Sequence, residues 1–361
     1  MRLNGPVLGD VCEGRNNHLN LIRMIAATSV LVSHAWPISL GSGAIQPLST
    51  LLGETLGTLS VYVFFAISGF LIARSFERQP TVRRWMAARA LRLLPALTVV
   101  LVLTVAVLGP LVTALPLAEY LARPETLSYV PRNLSLAFLQ YDLPGVFEDQ
   151  PYPGAINGSL WTLVYEVVCY GGVLVVGLLG GLRRSGLMIV LLAGFAAAYV
   201  LALHVLGPER AHPRIVALCN LALPFVIGTA FYVWRARVPL HPGILLGLAL
   251  AAALLRETPA HAVALTAALS YGVFLVGFMP GAFLHRYNRL GDYSYGVYIY
   301  AFPMQQLMMH LFQPLGPLGN IALALPATLA LAMLSWVWVE KPALALVRRA
   351  TPRVPEPARS V

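Results

Sequence analysis

Charged side chains are scarce in this chain. Only 11% of its 361 residues are Asp, Glu, Lys or Arg, whereas soluble domains carry roughly 25%. Hydrophobic residues make up 58%, and the mean hydropathy is +0.73. A soluble globule of this composition would lack polar surface, and a disordered chain would need the opposite composition. The composition therefore predicts an all-α, polytopic membrane protein.

Lysine and cysteine are also rare. Lys341 is the only lysine, and the basic residues, 25 in all, outnumber the 15 acidic ones. In a soluble protein, such an excess of basic residues would suggest a nucleic-acid partner. The cytoplasmic loops of membrane proteins are rich in basic residues for another reason, so no nucleic-acid partner is expected here. The cysteines Cys12, Cys169 and Cys219 are odd in number and far apart, which predicts neither a disulfide framework nor a metal site.

Apolar runs long enough to cross a bilayer occur about ten times, which predicts a transmembrane domain over residues 1–345. The first run is the least apolar, and the seventh is short. The runs fall at about 18–38, 55–74, 93–115, 158–182, 186–207, 214–234, 242–255, 260–280, 291–312 and 318–340.

The basic residues set the orientation of these runs. With a cytoplasmic N-terminus, ten spans place 20 of the 25 Lys and Arg on the inner side and 5 on the outer side, and both termini are then cytoplasmic. The longest connection, about 116–157, lies on the outer face as either a lid over the bundle or a plain loop. The proline-rich residues 346–361 are expected to form a disordered cytoplasmic tail.

Four ionisable residues, including Asp292, stand where the bilayer makes charge costly, at roughly 2.5–3.5 kcal/mol each near its centre. Arg23 and His34 are 11 residues apart, so they share one face of a helix, about 16 Å apart. His34 could accept a proton near neutral pH or serve as a polar core residue. Glu166, inside the fourth run, would need a partner such as an arginine.

Two further segments allow either binding or plain structure. Arg89 and Arg92 lie on one helical face leading into the third run, where guanidinium groups could bind phosphate. The same arginines would also suit inner-side charge or contact with the headgroups of anionic membrane lipids. Ser68 and Gly69, in the second run, permit close helix packing, which is a sufficient explanation for them.

Taken together, these segments resemble the type-3 membrane acyltransferase family, bacterial proteins with a ten-helix core that O-acylate sugars, including lipopolysaccharide and exopolysaccharide. Six motifs follow the family's order from residue 18 to about 345. They are Arg23 with His34, Phe64 to Leu71, Arg89 with Arg92 and Pro95, Ser159 through Glu166 to Tyr170, Gly291 to Tyr298, and Trp338 to Pro342.

One position departs from the family pattern. Many members carry a histidine two residues before the proline that follows the Ser-Tyr segment, where this chain has Ala301 before Pro303. The resemblance therefore leaves His34 as the clearest catalytic candidate. No soluble hydrolase-like second domain, which some relatives carry, is expected here. That expectation leaves a role for a periplasmic partner protein in completing the transfer or presenting the acceptor.

The resemblance implies a cytoplasmic acyl-CoA donor, usually acetyl-CoA, no metal, and a sugar hydroxyl acceptor that arrives from the outer side of the inner membrane. His34 would be the general base, Glu166 would orient its imidazole, and Arg23 would stabilise the oxyanion or grip the donor. The remaining implied roles divide into donor binding by Arg89, Arg92, Ser68 and Gly69, and sugar binding by Trp161, Tyr295 and Tyr298.

Two other function classes stay open. Intramembrane Arg, His and Glu also occur in proton-coupled transporters, here of a glycan or small solute, although the sequence has no internal repeat. A membrane glycosyltransferase or polysaccharide polymerase would instead require a lipid-linked sugar donor. The acceptor itself, whether exopolysaccharide, O-antigen, lipo-oligosaccharide or a small metabolite, is left undetermined by the sequence.

Overall fold

Lipid offers the backbone no hydrogen-bond partners, so an apolar segment that crosses a bilayer must satisfy its own backbone hydrogen bonds. Such a segment therefore folds as a helix. The structure, a computed structural model, describes residues 5–14, 17–79, 81–207, 209–281 and 286–349. Regular structure within these ranges is helical, apart from one bridge between Val7 and Pro239. The predicted all-α class is confirmed.

Ten main helices correspond one to one to the ten apolar runs. All but α7, α8 and α9 are long and apolar enough to cross a membrane, which confirms a polytopic protein. The count of ten spans stays a prediction. The helices are α1 (Leu19–Leu40), α2 (Leu56–Arg78), α3 (Val82–Val112), α4 (Gly158–Leu178), α5 (Ser185–Val205), α6 (Pro213–Val233), α7 (Pro242–Leu254), α8 (His261–Gly277), α9 (Ser294–Leu311) and α10 (Pro317–Val347).

Helix α2 lies at the centre of the bundle and packs against α1, α4, α6 and α8. Its closest contact is with α6, where glycines let the two backbones meet. A Cβ atom added at Gly69 would lie 1.9 Å from the carbonyl oxygen of Phe225, and one at Gly228 would lie 2.0 Å from that of Ala66. Gly69 is therefore a helix-packing residue, and its predicted part in donor binding stays a prediction.

The 116–157 connection is folded and fastened to the bundle. It contains two helices, Leu117–Ala122 and Pro124–Leu134. The Tyr120 hydroxyl donates to the Val105 carbonyl of α3 at 3.0 Å, and the buried Gln306 amide of α9 donates to the carbonyls of Tyr152 and Ala155, each at 2.8 Å. The connection is therefore packed against α3 and α9, and its predicted role as a lid stays a prediction.

The predicted start of the disordered tail lies too early in the chain. The last part of α10 belongs to an unbroken helical segment, Lys341–Arg349, which still packs against α3. The predicted boundary at residue 346 therefore falls inside a helix, and the rest of the predicted tail, residues 350–361, lies outside the described residues.

Replacing Gly69 by alanine tests the α2–α6 contact. The added methyl group would overlap the Phe225 carbonyl, so we expect Gly69→Ala to lower the free energy of unfolding by about 1–3 kcal/mol, as overpacking does. Thermal unfolding of the detergent-solubilised protein measures this. The matched variant Gly194→Ala, in α5, adds a methyl group to open space and is expected to leave the melting temperature unchanged or slightly raised. Equal losses in both variants would contradict the assignment.

Candidate active site

Asp292, just before α9, connects arginines from two other helices. Its Oδ2 accepts hydrogen bonds from Arg23 of α1 and Arg92 of α3, both at 2.6 Å, and its Oδ1 accepts one from Ser294 at 2.6 Å. Arg92 also donates to Glu340 of α10 at 3.2 Å. Two guanidinium groups and two carboxylates thus form one network in which the charges balance.

The local backbone geometry positions the carboxylates of Asp292 and Glu340 in this network. Gly291 has φ 126°, in the region that favours glycine, and a Cβ atom there would lie 2.5 Å from the Trp336 indole nitrogen. The Asn20 amide fixes the Gly291 carbonyl at 2.9 Å. Glu340 closes a π-helical turn, Trp336–Glu340, a type of turn that is frequent at functional sites. Glycine at position 291 therefore lets the chain turn directly into Asp292.

Asp292 stays charged in this setting. Burial raises the pKa of its carboxyl, but the guanidinium groups of Arg23 and Arg92 outweigh that effect and hold the pKa well below its usual range. The arginine pairs therefore persist at any pH at which the protein is folded and the carboxylate is ionised. Sequence reasoning flagged Asp292 as costly but did not identify its partners.

An inner cavity of about 130 Å³ opens beside the network, between α1, α2, α3, α4 and α9. It brings together five residues that the sequence singled out for catalysis or donor binding. These are Arg23, Ser68, Arg89, Arg92 and Glu166.

Arg89 differs from Arg92 in having no carboxylate partner. Among the described residues it forms no ion pair, and its buried Nε atom has no hydrogen-bond partner. Arg92, in contrast, is neutralised by Asp292 and Glu340. Arg89 is therefore the arginine of the predicted pair that is not held in an ion pair, and it shares the inner cavity with the Glu166 carboxylate.

Glu166 is held by neutral groups of the inner cavity. Its Oε1 accepts hydrogen bonds from the Ser68 hydroxyl at 3.2 Å and from the Tyr170 hydroxyl. The predicted pairing with the His34 imidazole is not what the structure displays, because His34 lines a different cavity. The Glu166 carboxylate is therefore part of the wall of the inner cavity.

An outer cavity of about 680 Å³ contains His34. The imidazole is half-buried and meets the Phe302 ring edge to face, with centroids 5.3 Å apart, while its buried Nδ1 has no hydrogen-bond partner in the described part of the chain. Trp161 of α4 and Tyr152 of the 116–157 connection share the wall. The other polar residues of the wall are Ser42, Gln46, Glu54, Thr55, Thr58, Tyr62, Asn220 and Tyr298.

Glu54 contributes a carboxyl group to this wall that sequence reasoning missed. Burial raises its pKa, and the nearby His261 and a hydrogen bond with Thr58 oppose that only in part. Glu54 sits just before α2, in a connection whose sequence carries no motif, so only its position in the fold reveals it. It adds a group that takes up a proton at a higher pH than usual.

The three residues predicted to bind sugar are divided between the cavities. Trp161 lines the outer one, with 39% of its side chain exposed. Tyr295 lines the inner one, where its hydroxyl donates to the Leu93 carbonyl at 2.9 Å and its ring faces Arg92 at 5.6 Å. Tyr298 lines both cavities. Only Trp161 and Tyr298 are therefore in reach of a ligand beside His34.

No group of three or more His, Cys, Asp or Glu able to hold a metal ion lies within the described ranges. What the site offers instead is an unpaired guanidinium group at one end, an imidazole at the other, and cavities beside both.

The sequence was then compared with known proteins. Residues 16–337 match the protein family described as "Acyltransferase domain". The chain belongs to this acyltransferase family. It is 29% identical over 343 residues to the O-acetyl transferase of Shigella phage Sf6, covering 91% of this chain and 96% of the relative. It is 28% identical over 360 residues to Nodulation protein 10 of Rhizobium leguminosarum bv. viciae, and the match covers 92% of this chain and 95% of the relative. No solved structure matches.

Removing the Asp292 charge tests the network. Asp292→Asn leaves Arg23 unpaired and Arg92 only half neutralised, so we expect the acyltransferase to lose about 3 kcal/mol of unfolding free energy, as when one partner of a buried pair is removed. Thermal unfolding in detergent measures the loss. Glu257→Gln removes an exposed carboxylate that lies 3.9 Å from Arg256 and should cost almost nothing. Equal stability of the two variants would contradict the role of the network.

Proposed function

We propose that this acyltransferase moves an acetyl group from cytoplasmic acetyl-CoA to a hydroxyl of a sugar in a surface or exported glycan, across the bacterial inner membrane. The observation that carries the proposal is the pair of adjoining cavities, one containing the unpaired Arg89 and the other containing His34. The name of the phage relative, O-acetyl transferase, favours acetyl as the group and oxygen as its acceptor.

The inner cavity suits the donor. Acyl-CoA carries several phosphates, and guanidinium groups bind phosphate through charge-assisted hydrogen bonds. Arg89 can supply them because it forms no ion pair in the described part of the chain and its buried Nε has no hydrogen-bond partner. The cavity is small, so the nucleotide would remain at its mouth near Arg83 and Arg84, with the pantetheine arm inside. The excess of basic residues on this side supports a cytoplasmic origin for the donor.

The outer cavity suits a sugar. It is about five times larger than the inner one, and it combines the indole face of Trp161 with the side-chain amides of Gln46 and Asn220. An aromatic face offers apolar contact to a sugar ring, and amides both donate to and accept from hydroxyl groups. A hydroxyl bound here would lie in the same cavity as the His34 imidazole.

The chemistry follows from that placement. As the sugar oxygen attacks the thioester carbonyl carbon, His34 takes the hydroxyl proton; the carbon–sulfur bond then breaks, and the leaving thiolate takes the proton from the imidazolium. General base catalysis of this kind contributes about 10²–10⁴-fold. Arg23 is already balanced by Asp292, so we assign it a positioning role in the inner cavity in place of oxyanion stabilisation.

His34→Gln tests the base. We expect at least about a 100-fold loss of acetyl transfer, because the amide cannot accept the hydroxyl proton. Purified protein in proteoliposomes, radiolabelled acetyl-CoA and glycan from the native host measure the rate. The control His310→Gln changes a histidine of α9 outside both cavities and should keep the wild-type rate. A wild-type rate in His34→Gln would refute the assignment, and glycan transport without acetyl-CoA consumption would favour a transporter.

Arg89→Gln and Arg92→Gln separate donor binding from structure. We expect Arg89→Gln to raise the KM for acetyl-CoA about 10-fold or more with little change in melting temperature, since it removes a charge-assisted contact. Arg92→Gln should chiefly lower the melting temperature, because it leaves Glu340 without its arginine and Asp292 with Arg23 alone. Initial-rate kinetics and thermal unfolding of both variants measure the split. An unchanged donor KM in Arg89→Gln would indicate contact with lipid headgroups instead.

A further inference from the structure

The inner and outer cavities are distinct, yet two residues line both. Among the described residues these are Val61 of α2 and Tyr298 of α9, and both side chains are buried. Every other residue on either wall lines one cavity alone. Val61 and Tyr298 therefore stand between the arginines on one side and His34 on the other.

Tyr298 is held in this position by neighbours from two helices. Its hydroxyl shares a hydrogen bond of 2.7 Å with Thr162 of α4, which lines the inner cavity. Its ring meets Phe64 of α2 edge to face, with centroids 5.8 Å apart. Val61 is β-branched and buried, so its side chain has little rotational freedom in a helix. Both residues thus form part of the wall between the two cavities.

We propose that Val61 and Tyr298 form a septum between the cavities, across which the acyl group meets its acceptor, and that this septum keeps outer-cavity water away from the donor thioester. This inference rests on the proposed function. It adds a second role to the site: protection of the donor when no sugar is bound.

The need for such a septum follows from the chemistry of the base. An imidazole that activates a sugar hydroxyl would activate water equally well. Water attacking the thioester carbonyl would break the carbon–sulfur bond and yield acetate and free CoA, with no acceptor modified. The outer cavity is polar and large enough to hold water, and His34 lies on its wall. Exclusion of water from the donor side prevents this loss.

Val61→Ala tests the septum by removing two methyl groups from it. We expect release of CoA in the absence of glycan to rise about tenfold over wild type, while the ratio of acetyl transfer to hydrolysis falls, because water gains access to the thioester. A thiol-reactive dye measures CoA release, and radiolabelled glycan measures transfer. The control Val63→Ala removes the same groups from a partly buried valine that lines neither cavity, and it should keep the wild-type ratio.

Val61→Phe tests the same wall in the opposite direction. The larger ring should block transfer by at least about tenfold while equilibrium binding of CoA stays at the wild-type level, because the inner arginines are untouched. Loss of CoA binding in this variant, or a wild-type ratio of transfer to hydrolysis in Val61→Ala, would overturn the septum. If the wild-type protein consumes no acetyl-CoA even with glycan present, the proposed function itself fails. If the wild-type protein transfers acetyl normally and both Val61 variants behave like it, the septum alone is refuted.

Discussion

The inner end of the site depends on one carboxylate. Asp292 accepts from Arg23 and Arg92 at 2.6 Å each and so fixes α1 and α3 against the start of α9. Two guanidinium groups brought this close in a bundle of low polarity would otherwise repel each other and remain poorly solvated. With Glu340 completing the balance, the network pairs Arg23 and Arg92 with carboxylates and leaves Arg89 outside it. The network therefore distinguishes the paired Arg92 from Arg89, which we propose as the donor-binding cation.

The two cavities match the different binding requirements of the two proposed substrates, the acyl donor and the sugar. In the proposed function, the polyanionic donor would bind through Arg89 and place its arm in the narrow inner cavity. The sugar would occupy the wider outer cavity, where aromatic and amide groups lie beside His34. Because only Val61 and Tyr298 line both spaces in the described part of the chain, the two substrates would meet at one narrow place. Such an arrangement holds reacting groups together while limiting the entry of water.

Sequence reasoning identified features that lie on a single helix. The spacing of Arg23 and His34 predicts one face of α1, and the structure places them at the two ends of the site. The hydrogen bond of Glu166 with Ser68, the contact of Gly69 with Phe225 and the pairing of Arg92 with Glu340 were not predictable in this way. Each joins residues far apart in sequence, and helical periodicity reports which face is apolar without reporting which helix lies against it.

The most direct test of the account is the side from which the donor enters. Sealed vesicles of both orientations, prepared from cells that produce the protein, would be given radiolabelled acetyl-CoA in the external medium, and label in the glycan would be counted. We expect labelling in inside-out vesicles, which would expose the predicted cytoplasmic side with Arg83 and Arg84 at the start of α3, and background label in right-side-out vesicles. Equal or greater labelling in right-side-out vesicles would contradict the account.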